Sequence, residues 1–161
     1  MTIKIGDRLP NATFGTPTPD GPKPVSTDDV FKGKTVALFA VPGAFTPTCS
    51  ARHLPGFRDH LEDLKAKGID TVACVSVNDA FVMGAWAKSQ EIDGQEIIML
   101  ADGNGDFTRA IGLTLDGSGF GMGERSQRYS MLIKDGVVEQ LNVEGGGEFR
   151  VSSAEHLLTQ L

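Results

Sequence analysis

The chain has 161 residues and a net charge of −6, so it reads as one domain, 1–161, able to bury roughly two thirds of its unfolded surface. The acidic balance excludes a general nucleic-acid surface, which needs clustered Lys and Arg. Two cysteines, Cys49 and Cys74, are too few for a disulfide scaffold and point to a reducing compartment. With no apolar signal core in Met1 to Arg8 and no apolar run of bilayer length, the expectation is a soluble, cytoplasmic protein without a membrane partner.

The segment through Pro24, rich in Pro, Gly and Thr, predicts a loop or short hairpin wrapping the domain. Thr35 to Val41 reads as a buried strand, followed by Pro42-Gly43-Ala44-Phe45-Thr46-Pro47-Thr48-Cys49-Ser50. Leu54, Phe57, Leu61 and Leu64 then recur at helical spacing, which places Cys49 at a helix start. Free N–H groups and the macrodipole favour a thiolate there; an ordinary thiol, with pKa about 8.5, is mostly protonated near neutrality. Pro55 falls inside this helix and predicts a kink near Ala51 to Pro55, or a first turn that ends as a second helix begins; either geometry eases unwinding around Cys49.

Ile69 to Val77 is a second apolar strand, and Asn78-Asp79 supplies an N-cap signal for a helix through Ser89. Ile97 to Ala101 repeats the strand, and an Asp106-led turn covers Phe107 to Ile111. Gly117 to Gly123 reads as a flexible loop; it lacks the Lys-Ser/Thr of a phosphate loop, and its Phe120 and Met122 are candidate apolar contacts. Tyr129 to Lys134 and Val137 to Val143 flank Asp135-Gly136, a strong hairpin signal. Ser152 and Glu155 have capping-box spacing ahead of a last helix, with Gly145 to Gly147 turning the chain into it. Alternating strands and helices followed by antiparallel strands predict an α/β fold: a mixed sheet sandwiched by helices, thioredoxin-like in outline.

The arrangement Pro42, Thr46, Cys49 resembles the active-site signature of the peroxiredoxins. The run from Pro42 to Ser50, followed by His53-Leu54-Pro55-Gly56-Phe57, is similar to their type II or peroxiredoxin-five branch, as are Cys74 to Val82, Arg128-Tyr129-Ser130-Met131 and Leu141-Asn142-Val143. The resemblance covers nearly the whole chain in order. It implies reduction of hydrogen peroxide and organic hydroperoxides through a Cys49 sulfenic acid. It also implies that Thr46 and the N–H groups of Thr48 and Cys49 bind the peroxide, that Pro42 shields the sulfur, and that Arg128 supplies a fixed cation. No metal, flavin or haem is implied, an external thiol is required, and a homodimer is expected.

Alternation along the strand puts Arg128, Ser130 and Leu132 on one face; Arg125 is the nearby rival, and the resemblance selects Arg128. Cys74, among valines, reads as a small buried hydrophobe. Some members of the branch have a cysteine at this separation that has been considered an internal disulfide partner, which is the alternative role for Cys74. Others resolve through a cysteine near the C-terminus, where this chain has Ser152 and Ser153. Glutathione with glutaredoxin is therefore the expected reductant, with thioredoxin and a Cys49–Cys74 disulfide as the alternative, and a redox-relay sensor as the non-enzymatic one. A disulfide oxidoreductase is disfavoured, because Thr46-Pro47-Thr48-Cys49 lacks the first cysteine of a C-x-x-C pair. His53, His60 and His156 show no metal-ligand spacing, and His53 and His60 read as helix decoration.

Overall fold

Strand β3, Thr35–Ala40, shows how one apolar run serves two layers. Side chains alternate across a strand, so Ala37 and Phe39, with Val41 just beyond, enter one core while Val36, Leu38 and Ala40 enter the other. Both cores are buried, which is why the run is apolar from Val36 onward. The computed structural model describes residues 2–93 and 96–161.

Seven strands form the main sheet in the order β2-β1-β5-β4-β3-β8-β9. The hairpin β1, Thr13–Thr16, and β2, Lys23–Ser26, lies at one edge. Strands β3, β4 (Thr71–Ser76) and β5 (Ile98–Ala101) run parallel in the middle. Strand β8, Tyr129–Lys134, runs antiparallel to β3 and turns through Asp135 and Gly136 into β9, Val137–Val143. Both turn residues have positive φ, 48° and 79°, as a two-residue primed turn requires.

One face of the sheet carries α2 (Leu54–Asp59), α3 (Leu61–Ala66), α4 (Ala80–Ser89) and α6 (Ala154–Thr159). The other carries α1 (Thr27–Phe31) and α5 (Asp106–Ile111). Asp79 caps α4 by accepting from the Val82 N–H. The sandwich predicted from the sequence is the one observed.

Three local expectations are refined or corrected. Of the two geometries expected around Pro55, the second forms: a π turn, Cys49–His53, ends as α2 begins, and a further break at His60, not expected, separates α2 from α3. In the π turn the Leu54 N–H reaches back to the Cys49 carbonyl. Widening the turn moves the Ala51 carbonyl out of the path of the Pro55 ring, and Pro55 then sits in the first turn of α2, where a missing N–H costs nothing. The box expected of Ser152 and Glu155 does not form: Ser153 caps α6, because Ser152 is buried with its N–H and hydroxyl on Glu144. The Gly117 to Gly123 loop closes a separate ribbon of β6, Thr114–Asp116, and β7, Glu124–Ser126, through a short 3-10 turn.

Candidate active site

The loop from Val41 to Cys49 is pinned to the end of β4. The Val41 N–H donates to the Val75 carbonyl, 3.2 Å, and the Ala44 N–H to Asn78 Oδ1, 3.0 Å. Phe45 then takes a φ of 65°, a left-handed conformation uncommon outside glycine. Helical geometry begins at Pro47, and the first intrahelical bond runs from the Ser50 N–H to the Thr46 carbonyl, 3.0 Å. The N–H groups of Thr48 and Cys49 therefore lie in the turn that has no carbonyl behind it.

Cys49 is fully buried, and two side chains converge on its sulfur. Thr46 Oγ1 lies 2.8 Å from Sγ and 2.6 Å from the Gly43 carbonyl oxygen. A carbonyl only accepts and the hydroxyl has one hydrogen. In the thiol form Thr46 donates to Gly43 while the S–H donates to Oγ1; loss of the sulfur proton frees the hydroxyl to turn to Sγ. Arg128 Nη2 donates to Sγ across 3.1 Å. The rival Arg125 points elsewhere: its Nε donates to the Met122 carbonyl and Nη1 to the Pro42 carbonyl. A Cβ added at Gly43 would come within 2.9 Å of that Nη1, so Arg125 and Met122 pack directly on the loop that carries Pro42. Thr46 and Arg128 thus meet on the Cys49 sulfur, while Pro42 and Thr48 stand in the loop that carries it.

His53 was legible only as helix decoration, and the structure corrects that reading. It is fully buried, with Nε2 2.9 Å from the Ser152 carbonyl and Nδ1 2.9 Å from Arg128 Nη1. The carbonyl fixes the tautomer: Nε2 carries the hydrogen and Nδ1 accepts from Arg128. Burial first, and the Arg128 cation second, lower the imidazole pKa from 6.5 to about 3, against the favourable Ser152 carbonyl. His53 is therefore a neutral brace that aims the guanidinium at sulfur. Behind it, Glu144 Oε2 receives the N–H groups of Arg150, Val151 and Ser152 and the Ser152 hydroxyl. Burial opposes ionisation of Glu144, but the Ser152 hydroxyl and these backbone donors together outweigh it and hold its carboxyl below the usual range. Two further partners escape sequence reading: Trp86 Nε1 donates to Ser50 Oγ, 2.9 Å, and the Phe149 ring packs edge-on to His53, centroids 5.1 Å apart.

Cys74 occupies the middle of β4, opposite Phe39 of β3 and Met99 of β5. It faces the same core as Cys49, and both cysteines are free. Burial, and then the charge of Cys49, push the Cys74 thiol well up, only partly offset by Arg128. It is a protonated core side chain. His60 pairs with Glu155, Nε2 to Oε1 3.1 Å, and no group of three His, Cys, Asp or Glu among the described residues is placed to hold a metal.

Comparison with known proteins converges on one family. The chain matches the Redoxin family over residues 4–158. It is 51% identical over 164 residues to a chloroplastic peroxiredoxin-2E-2 of Oryza sativa subsp. japonica, covering 99% of this chain and 73% of the relative. It is 47% identical to peroxiredoxin-2D of Arabidopsis thaliana, covering 99% and 98% of the two chains. Its backbone superposes with a TM-score of 0.93 on reduced Prx3 of Vibrio vulnificus, crystallised in complex with hydrogen peroxide, at 53% identity and 99% coverage of each chain. A thioredoxin-like sheet, a buried sulfur held between threonine and arginine, and these likenesses make the chain a member of the peroxiredoxins, the thiol peroxidases of the redoxin family.

Proposed function

We propose that Cys49 is the sulfur that reduces hydrogen peroxide and organic hydroperoxides, and that glutathione, with glutaredoxin, returns it to the thiol. The observation that carries the chemistry is the placement of Sγ between Thr46 Oγ1, 2.8 Å, and Arg128 Nη2, 3.1 Å. The Vibrio vulnificus relative was crystallised with hydrogen peroxide, and we carry that substrate over to this chain.

Cys49 as thiolate attacks one peroxide oxygen. An S–O bond forms as the O–O bond breaks, sulfur gives up two electrons, and the second oxygen leaves as hydroxide or alkoxide and takes up a proton. Charge grows on that leaving oxygen, so donors fixed near it stabilise the transition state more than the ground state. Arg128 and the free N–H groups of Thr48 and Cys49 supply those donors, and Pro42 closes the loop beside them. A glutathione thiolate then attacks the sulfenic sulfur and expels its oxygen as water; a second thiol breaks the mixed disulfide and restores Cys49.

Two features support an external reductant. Cys74 lies at the centre of the sheet with its thiol pushed up, so little of it is in the nucleophilic form. Ser152 and Ser153 stand in the C-terminal region, and Ser152 is committed to Glu144. Thiol recycling suits a reducing compartment, and we place the protein in the cytoplasm.

The test is intact mass after reduction and one equivalent of peroxide, with free thiols counted by a blocking reagent. The expected result is a gain of one oxygen with Cys74 still free, turnover preserved in Cys74→Ala, and turnover abolished in Cys49→Ser. Loss of two hydrogens and both thiols within one chain would overturn the external-thiol reading in favour of a Cys49–Cys74 disulfide and thioredoxin. Normal turnover in Cys49→Ser would overturn the mechanism itself.

A further inference from the structure

Of the seven arginines, six find an acceptor within the chain. Arg8 donates to a carbonyl, Arg58, Arg109 and Arg150 have carboxylate partners, Arg125 holds two carbonyls, and Arg128 holds His53 and Cys49. Arg52 donates to no acceptor among the described residues, yet it is not a loose surface side chain. It lies in the π turn three residues after Cys49, and its Cζ sits 4.7 Å from the centroid of the Phe149 ring. The same ring lies 5.9 Å from Arg128 Cζ. Phe149 is held in turn, because the backbone N–H groups of Arg150, Val151 and Ser152, directly after it, are gathered on the Glu144 carboxylate.

A guanidinium stacked on an aromatic face is fixed through its π surface, while the N–H groups on its edge stay free to form a fork for a carboxylate. In a chain of net charge −6, an oriented guanidinium with no acceptor among the described residues, three residues along from the reactive cysteine, is a local attractor for an anion.

We infer that Arg52, held by Phe149, is a docking point for a carboxylate of the thiol that reduces Cys49. The reductant is thereby a small carboxylate-bearing thiol of the glutathione kind in preference to a neutral one. This rests on the sulfenic-acid reading above and adds to it a residue that selects the reductant. Reach supports the thiol over the peroxide as owner of the carboxylate. Cys49 is fully buried, so the sulfenic sulfur meets an outside thiol only when its turn opens. With Arg52 kept on Phe149, the three residues of chain back to Cys49 reach at most about 10 Å when extended, comparable to the length of a tripeptide thiol.

The test separates the two half-reactions. Oxidised enzyme, made with one equivalent of hydrogen peroxide and verified by mass, is mixed with glutathione, with glutathione diethyl ester or with 2-mercaptoethanol, and loss of the added oxygen is timed. Arg52→Met keeps an apolar stem on Phe149 and removes the charge. The expected result is an approximately tenfold slower reduction by glutathione, a less than twofold change with the ester and with 2-mercaptoethanol, partial rescue in Arg52→Lys, and loss of the wild-type preference at high salt. Equal slowing with all three thiols would make Arg52 a structural clasp and overturn the inference, as would no slowing with any. Oxidation is timed in parallel with a fatty-acid hydroperoxide and its methyl ester. If Arg52→Met discriminates between those two and not between the thiols, the carboxylate belongs to the peroxide and the inference is overturned. If peroxide adds no oxygen to Cys49, the sulfenic-acid reading fails first, a result visible by mass before any thiol is added.

Discussion

At the scale of single residues, the site depends on a histidine that must stay neutral. His53 accepts from Arg128 through Nδ1, and its pKa is lowered to about 3 from 6.5. The unfolded chain therefore binds a proton between these values that the folded chain does not, so stability is fully present above about pH 6.5 and declines as pH falls towards 3. The slope from this one group is at most about 1.4 kcal/mol per pH unit. His53→Gln supplies an amide N–H for the Ser152 carbonyl and a carbonyl oxygen for Arg128 without a titrating group. We expect that variant to keep most of its peroxidase activity and to lose acid sensitivity, read as a smaller drop in the urea midpoint between pH 7 and pH 4.5 than in the wild type. An unchanged drop would remove His53 from the account. The meeting of Thr46 and Arg128 on Cys49 was legible in the sequence because Thr46 and Cys49 share one short motif and Arg128 opens a recognisable strand. The role of His53 was not, since its two partners lie 99 and 75 residues away and nothing local distinguishes a brace from a surface histidine.

At the scale of elements, the π turn is the weak link by design of its sequence. Pro55 prevents a regular helix through Cys49, and the turn is tied to α4 by the bond from Trp86 to Ser50, 2.9 Å. Ser50→Ala removes the acceptor and leaves the indole N–H unpaired in the core, which raises the energy of the closed turn by about 1 kcal/mol or more. Opening should become about fivefold easier, and reduction of oxidised Cys49 by saturating thiol should accelerate accordingly. A rate equal to that of the wild type would mean that opening does not limit reduction. The central strands were legible because their apolar runs are continuous and bounded, and the β8–β9 hairpin because Asp135-Gly136 dictates its turn. The break at Pro55 was foreseen, as a kink or as a first turn ending there, but not its π character nor the second break at His60, since periodicity reports an apolar face and says little about whether a turn is closed by four residues or five. The cap of α6 was misplaced by one residue because Ser152 and Ser153 look alike until Glu144 claims the first.

At the scale of the whole molecule, the parallel strands β3 and β4 both run out toward the Cys49 loop and the start of α4, the end where three aromatic side chains remain uncovered. Phe45, Phe81 and Phe120 are 54%, 74% and 87% exposed. Exposed apolar side chains gathered at one end mark a surface that packs on a neighbour, and we propose that the neighbour is a second copy of this chain, as the family resemblance leads one to expect. Phe120→Glu should shift sedimentation toward the monomer while leaving the thermal midpoint of the monomer nearly unchanged; an unaltered dimer would place the interface elsewhere. The fold also carries its own optical gauge. Its single tryptophan, Trp86, is the residue that grips the turn bearing the reactive sulfur, so its emission reports on the turn that the proposed cycle has to open. We expect the open turn to emit at longer wavelength than the closed one as water reaches the indole, which would let the cycle be followed without a label.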